Sequence, residues 1–280
     1  MPSFVHAGIR FHYRETGSGT PFVFQHGLGG ESNQTFDLYT PPPGTRLITL
    51  DCRAHGATQP VGDPAHLTFA TLTDDVIALL DFLGLEQVVA GGISMGAGVA
   101  LNLALRYAQR VRALILSRPA WLDQPLPPNL LVYPAIAWLL HTCGAAEGRQ
   151  RFADSGAYAQ MLSASPDAAA SLLGQFDLPL AAERVARLER IPLDRPCGNL
   201  CACAAFTAPV LVLATHLDPI HSFDLAGRLA ESFPHAQLAE VTPKSVDRER
   251  HRADAQAAID GFLAACVLSW PPGCRAAPPA

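Results

Sequence analysis

Short apolar runs alternate with helical periods along this chain, and that alternation constrains its fold more than any other feature. Phe4 to His6 and Ile9 to Glu15 flank Ala7-Gly8 as a hairpin, and a Gly-Ser-Gly turn leads into the apolar run Phe22 to Gln25. Arg46 to Asp51, Val88 to Ala90, Val111 to Leu116, Val210 to Ala214 and Leu238 to Val241 read as further strands. Helical spacing falls between them: Leu72, Val76, Leu80 and Leu83 ahead of Gly84, then Ala97 to Tyr107, Phe223 to Ser232 and Ala253 to Ala265. Alternation of this kind argues an α/β fold, a mostly parallel sheet with helices on both faces.

The interval from Pro119 to Thr207 breaks the rhythm. It is rich in Pro, Ala and Leu, has helical stretches near Asn129 to Cys143, Ala146 to Ser163 and Pro179 to Arg190, and offers no convincing strand. A structureless loop that long is foreign to a compact domain, so the interval is expected to form a helical insertion. The last residues, Trp270-Pro-Pro-Gly-Cys-Arg-Ala-Ala-Pro-Pro-Ala, cannot continue a helix and read as a loose tail.

Composition narrows the function classes. With 280 residues, 49% of them hydrophobic, the chain can bury a full core. A net charge of -5 and no dense Lys/Arg stripe give no footprint for nucleic acid. The single lysine, Lys244, has no glycines before it, so no phosphate-binding GxxxxGK[ST] loop exists. No basic start followed by an apolar run marks a secretory signal, and no uninterrupted apolar run approaches the roughly 18 residues of a membrane span. The expectation is a cytoplasmic protein without a membrane partner. Seven cysteines without framework spacing suit free thiols; Cys197, Cys201 and Cys203 cluster locally but lack paired CxxC spacing, so no metal is expected.

Gly91-Gly92-Ile93-Ser94-Met95-Gly96 sets three glycines around one serine, between a buried strand and a helix. Ser94 between Gly92 and Gly96 is GxSxG. A sharp strand-to-helix turn that pushes a serine hydroxyl outward leaves no room for a Cβ two residues before or after it. The turn also sets Ser94 at a helix N-terminus, where free N–H groups favour developing negative charge.

A serine hydroxyl is a weak nucleophile unless a base takes its proton and a third group orients that base. Asp218, in His216-Leu217-Asp218-Pro219, follows a strand directly and is the expected orienter; Asp123, soon after Val111 to Leu116, competes for the role. His251 is the only histidine after the last strand and becomes the expected base, in the order Ser, Asp, His. His235 falls at the wrong end of that strand. His216 and His221 flank Asp218 as weak metal-ligand candidates with no third ligand in view. His26-Gly27-Leu28-Gly29-Gly30 directly after a strand can turn a backbone N–H inward, so Leu28 and Met95 are expected to form an oxyanion hole.

Together the HGLGG loop at 26 to 30, Asp51-Cys52-Arg53-Ala54-His55-Gly56, the GISMG turn, Asp218 and His251 resemble the α/β-hydrolase family. The resemblance implies an eight-stranded sheet formed by 1–118 and 208–268, a helical cap over 119–207 inserted after the sixth strand, and a tail at 269–280. It implies a serine hydrolase acting on carboxylic esters through an acyl-enzyme, with no cofactor and a small-molecule ester or lactone as its partner. Lactone, thioester and carbon-carbon cleavage use the same triad and stay open, as does ligand sensing on this fold. Trp121, Tyr133 and Trp138 of the cap are expected to bind a modest, fairly apolar substrate. Two departures stand out. The segment leading to His251, Thr242 to Arg250, is longer and more charged than the family's short glycine-histidine approach, and Ala54 replaces a common glycine.

Overall fold

A computed structural model describes residues 2–268. Eight strands form one sheet: β1 (Ser3–His6), β2 (Ile9–Gly17), β3 (Thr20–Gln25), β4 (Thr45–Leu50), β5 (Val88–Ile93), β6 (Val111–Ser117), β7 (Val210–Ala214) and β8 (Ala236–Glu240). Their order is β1-β2-β4-β3-β5-β6-β7-β8. The β1–β2 and β2–β4 pairs are antiparallel and all the others parallel. The helices are α1 (Ser32–Leu38), α2 (Phe69–Phe82), α3 (Met95–Arg106), α4 (Val132–Ala153), α5 (Gly156–Ala164), α6 (Pro166–Leu173), α7 (Ala186–Arg190), α8 (Phe223–Glu231) and α9 (Arg248–Leu268).

Side-chain alternation along the strands divides the core in two. Val88 and Ala90 face one side, with Val23, Ile48, Leu114, Leu116 and Val212, and pack on Leu72, Val76 and Leu79 of α2 and Val99 and Leu103 of α3. Val89 points the other way and joins Phe22, Phe24, Leu47, Ile115 and Leu213 against Leu38 of α1 and Ile259, Phe262 and Leu263 of α9. Both faces of β3, β5, β6 and β7 are buried, which explains why these strands read as continuous apolar runs instead of alternating ones.

Between β6 and β7 the described residues hold helices and no strand. The helix periods at 129–143 and 146–163 meet in α4, which breaks at Gly144 (φ 73°) and ends before Ser155, whose side chain accepts from Tyr158 N–H and starts α5. The period at 179–190 becomes helical only from Ala186, in α7. By length and composition alone, 128–153 could cross a membrane. Its Tyr133, Ile136, Ala137, Leu140 and Phe152 lie in the core of this fold. α9 begins five residues earlier than its apolar period suggests, because Asp247 accepts from Arg250 N–H at 2.9 Å and its carbonyl from His251 N–H. His251 is thereby built into the first turn of a helix. The tail expected at 269–280 lies outside the described residues.

Candidate active site

The turn from β5 into α3 carries Ser94 with φ 55° and ψ -109°, a strained conformation for a residue with a side chain. The flanking glycines show why the chain tolerates nothing larger. A Cβ on Gly92 would lie 2.3 Å from the Gly96 carbonyl carbon, and one on Gly96 would lie 2.2 Å from the Gln25 carbonyl oxygen. As the first residue of α3, Met95 has no intrahelical acceptor for its N–H.

The loop after β3 stands against this turn; a Cβ on Gly27 would fall 3.5 Å from Ser94 Cβ. His26 pins it. Cys52 N–H donates to His26 Nε2 (3.0 Å), so His26 Nδ1 carries the proton and donates to the Gly27 carbonyl (2.9 Å). Burial holds the His26 pKa below its ordinary value, so the ring stays neutral in this role. Gly27 N–H donates to Gln34 Oε1 at 2.6 Å, and Gly30 N–H closes a turn on the Gly27 carbonyl. Leu28 N–H has no acceptor among the described residues.

The histidine on Ser94 is His221. Its Nε2 lies 2.9 Å from Ser94 Oγ, and its Nδ1 lies 2.9 Å from Asp218 Oδ2. Asp218 and His221 occupy one turn after β7, tightened by N–H bonds from Ile220 and His221 to Asp218 Oδ1, both 3.2 Å. Arg118, at the end of β6, donates to Asp218 Oδ2 from Nη2 (2.6 Å) and Nε (3.1 Å). Burial opposes the charge on Asp218, but His221 and the Arg118 guanidinium hold its carboxyl far below the usual carboxylate range. An ionised Asp218 accepts only, so His221 Nδ1 bears the proton and Nε2 presents its lone pair to Ser94 O–H. Burial, with Arg118 adding to it, lowers the His221 pKa against the pull of Asp218. The resting imidazole is therefore a neutral base at pH 7.

His251 does not take the place expected of it. Its Nδ1 donates to the Thr242 carbonyl (2.7 Å), its ring is buried, and burial brings its pKa down to about 4. The helical start at Arg248 fixes it there, away from Ser94, while Asp218 and His221 three residues apart complete the line to the serine within one loop. The signal in the sequence was Asp218-Pro219-Ile220-His221 itself: a turn of that length brings the two side chains together. His216, the other histidine beside Asp218, stacks on Phe223 with ring centroids 4.2 Å apart. Asp123 accepts from Leu200 N–H and stays outside the site.

Of the three cap aromatics, the structure brings only Tyr133 to the serine. A cavity of about 60 Å³ at Ser94 is lined by Tyr133, Leu28, Ile220 and Leu172 on its apolar side and by Arg118 and Lys244 on its polar side. Trp121, shortly after the end of β6, packs edge-on against Phe69 in the core. Trp138 is 60% exposed and lines a separate apolar groove with Leu131 and Met161. Lys244, with its pKa brought down to about 8 by burial and by Arg118, makes the surroundings of the serine more polar than the cap composition suggests. A separate cavity of about 570 Å³, lined by Arg248 and His251, shares Arg118 and Lys244 with the one at Ser94.

In the 51–56 turn, Asp51 accepts from Ser32 N–H, Ala57 N–H and His12 Nδ1, and Arg53 forms a two-bond pair with buried Asp75 at 2.6 and 2.8 Å. Ala54 holds φ 59°, so the residue in place of the usual glycine still adopts the glycine conformation.

The alpha/beta hydrolase fold profile matches residues 20–244, most of the chain. The chain belongs to the α/β-hydrolase fold family. Among curated relatives, a 2-hydroxymuconate semialdehyde hydrolase of Pseudomonas sp. strain CF600 is 31% identical over 128 residues, 44% of this chain and 45% of that protein. The bifunctional epoxide hydrolase 2 of Sus scrofa is 30% identical over 125 residues, 44% of this chain and 21% of that protein. The matched stretch is thus less than half the length of either relative. Among solved structures, the enol-lactonase of Burkholderia xenovorans LB400 has a TM-score of 0.70 at 21% identity, covering 94% of this chain and all of its own. A carboxylesterase of Nitrososphaera gargenis reaches 0.75 at 18% identity, covering 96% of this chain and all of its own. These likenesses cover nearly the whole chain, and at such identities they speak for the fold.

Proposed function

We propose that this protein is a serine hydrolase of carboxylic esters and lactones, with Ser94 as nucleophile, His221 as general base and acid, and Asp218 as the group that orients the imidazole. The continuous line Ser94 Oγ, His221 Nε2, His221 Nδ1, Asp218 Oδ2, with both gaps 2.9 Å, carries this reading. Ser94 Oγ attacks the carbonyl carbon as His221 Nε2 takes its proton. The tetrahedral oxyanion is received by Leu28 N–H and Met95 N–H, which approach from the 26–30 loop and the α3 N-terminus. His221 then protonates the leaving alkoxide, an acyl group remains on Ser94, and water attacks that acyl group with His221 again as base. A serine nucleophile sets this chain apart from family members that open epoxides on an aspartate.

The cavity of about 60 Å³ at Ser94 favours a short acyl group, a few carbons long. The experiment is a series of p-nitrophenyl esters from acetate to decanoate, with butyrolactone and a longer lactone beside them, tested on the wild type and Ser94→Ala. The expected result is turnover that peaks at a short acyl chain and vanishes in the variant. Equal traces of hydrolysis in both proteins on every substrate would remove the ester and lactone reading and leave carbon-carbon substrates or ligand sensing.

The position of Arg118 carries a pH prediction. Its positive charge works against protonation of His221, and protonation is what silences the base. The wild type should therefore lose activity only below the ordinary histidine pKa of about 6.5, as His221 takes up a proton. Arg118→Met should move that acid limb upward, because the charge that opposes protonation of His221 is gone. A pH profile of kcat/KM for both proteins reads this directly; an unmoved limb would show that Arg118 does not act on His221.

A further inference from the structure

Two arginines lie side by side against the 54–56 turn with no acid to answer them. Arg187 of α7 is 1% exposed and Arg184, just before it, 5%. Arg184 Nη1 donates to the Gly56 carbonyl (2.9 Å), and Arg187 Nη1 donates to the Arg184 carbonyl (3.0 Å). Arg184 Nε and Arg187 Nε and Nη2 are buried without a hydrogen-bond partner. Neither guanidinium has a carboxylate within 4 Å among the described residues. Burial and the neighbouring Arg184 bring the Arg187 pKa down to about 10.

Both side chains line a cavity of about 270 Å³ between α7 and the 54–56 turn, with Gly29 and Gly30 of the serine-facing loop also in its lining. The acidic side chain among its lining residues, Glu31, is exposed and pairs with neither arginine. His55 completes the polar lining. Its Nδ1 lies 2.7 Å from the Arg53 carbonyl, which can only accept, so Nε2 is an unprotonated acceptor, and it too is buried without a partner. Burial holds this imidazole neutral.

A lone buried charge costs several kcal/mol, and two like charges together cost more, so a fold keeps such a pair when something of opposite sign joins it. Guanidinium forks match the oxygens of carboxylate and phosphate, and the His55 lone pair suits an O–H on the same ligand. We propose that the cavity between α7 and the 54–56 turn is a binding site for a small oxyanion that also carries a hydroxyl, a hydroxycarboxylate or hydrogen phosphate, held by Arg184, Arg187 and His55. The site is separate from the cavity at Ser94 and stands whatever substrate the serine takes. An anion there ties the cap to the loop that holds Leu28.

The test is titration of the full-length protein with inorganic phosphate and with glycolate, against chloride at equal ionic strength, read by calorimetry and by Tm. Saturable binding of either anion with a Kd below about 1 mM, and a Tm raised by several degrees, is the expected result. Whichever binds tighter identifies the headgroup. Arg187→Met should lose at least tenfold in affinity while its anion-free Tm stays level or rises, because an uncompensated buried charge gives way to an apolar chain of similar length. Arg187→Lys should recover part of the affinity. A merely structural Arg187 would behave oppositely, with a lower Tm in Arg187→Met and no anion response in either protein. No saturable heat with both anions, or equal binding in wild type and Arg187→Met, would overturn the site; should that variant fail to fold, Arg184→Met is read by the same criteria.

Discussion

His221→Ala is expected to lower kcat/KM for a short ester by about ten-thousand-fold or more, with the fold and Tm nearly unchanged, whereas His251→Gln should keep at least about a tenth of wild-type activity. The contrast follows from where the two rings sit. His221 Nε2 is 2.9 Å from the nucleophile, and no other base touches Ser94 Oγ among the described residues. His251 spends its proton on the Thr242 carbonyl, and a glutamine amide can supply the same donor. Steady-state kinetics on the two variants, with circular dichroism to establish folding, separates the histidines. Comparable losses in both would mean that α9 contributes to the chemistry in a way its position does not suggest.

The second large effect belongs to the backbone. Gly96→Ala should destabilise the protein by about 3 to 5 kcal/mol, or prevent folding, since its Cβ would stand 2.2 Å from the Gln25 carbonyl oxygen and 2.7 Å from that of His26. Neither contact is with a flexible side chain that could swing away. To relieve them α3 must withdraw from β3, and that motion opens the turn that presents Ser94. Gly174→Ala serves as the comparison, because a Cβ there meets nothing within 4 Å. Urea unfolding of both variants measures the difference; equal midpoints would contradict the close approach of α3 to β3.

These two residues also show what the sequence made legible. The crowding at Gly92 and Gly96 follows from local geometry alone, since a strand that turns into a helix within three residues must leave its flanks bare, and the pattern GISMG states that constraint outright. The eight strands were readable for a similar reason: β3 and β5 to β7 are buried on both faces and so are written in apolar residues. β8 was harder, being largely exposed, and its start at Ala236 has no apolar mark.

The histidine that meets Ser94 was not legible by the same route. Chain order favours His251, because it is the histidine beyond the last strand, but order says nothing about distance between side chains. That distance was set by a turn of four residues, Asp218 to His221, and by an early start to α9 dictated by Asp247, neither of which leaves an apolar period to read. The aromatics expected to bind substrate went unread for a related reason. Trp121, Tyr133 and Trp138 are all aromatic, yet one lies in the core, one at the serine and one on the surface; their places in the chain and the packing around them decide this, not residue type. Arg118 was equally hidden, as an arginine just past a buried strand carries no sequence sign that it will neutralise an aspartate a hundred residues away.

The central claim is that Ser94 is made nucleophilic by His221. It is tested most directly by the rate of covalent labelling with a fluorophosphonate, followed by intact mass and peptide mapping, in the wild type, His221→Ala and His251→Gln. The account predicts one adduct on the Ser94 peptide, formed at similar rates in the wild type and His251→Gln and at least about a thousandfold more slowly in His221→Ala. Undiminished labelling of His221→Ala, or loss of labelling in His251→Gln alone, would contradict it.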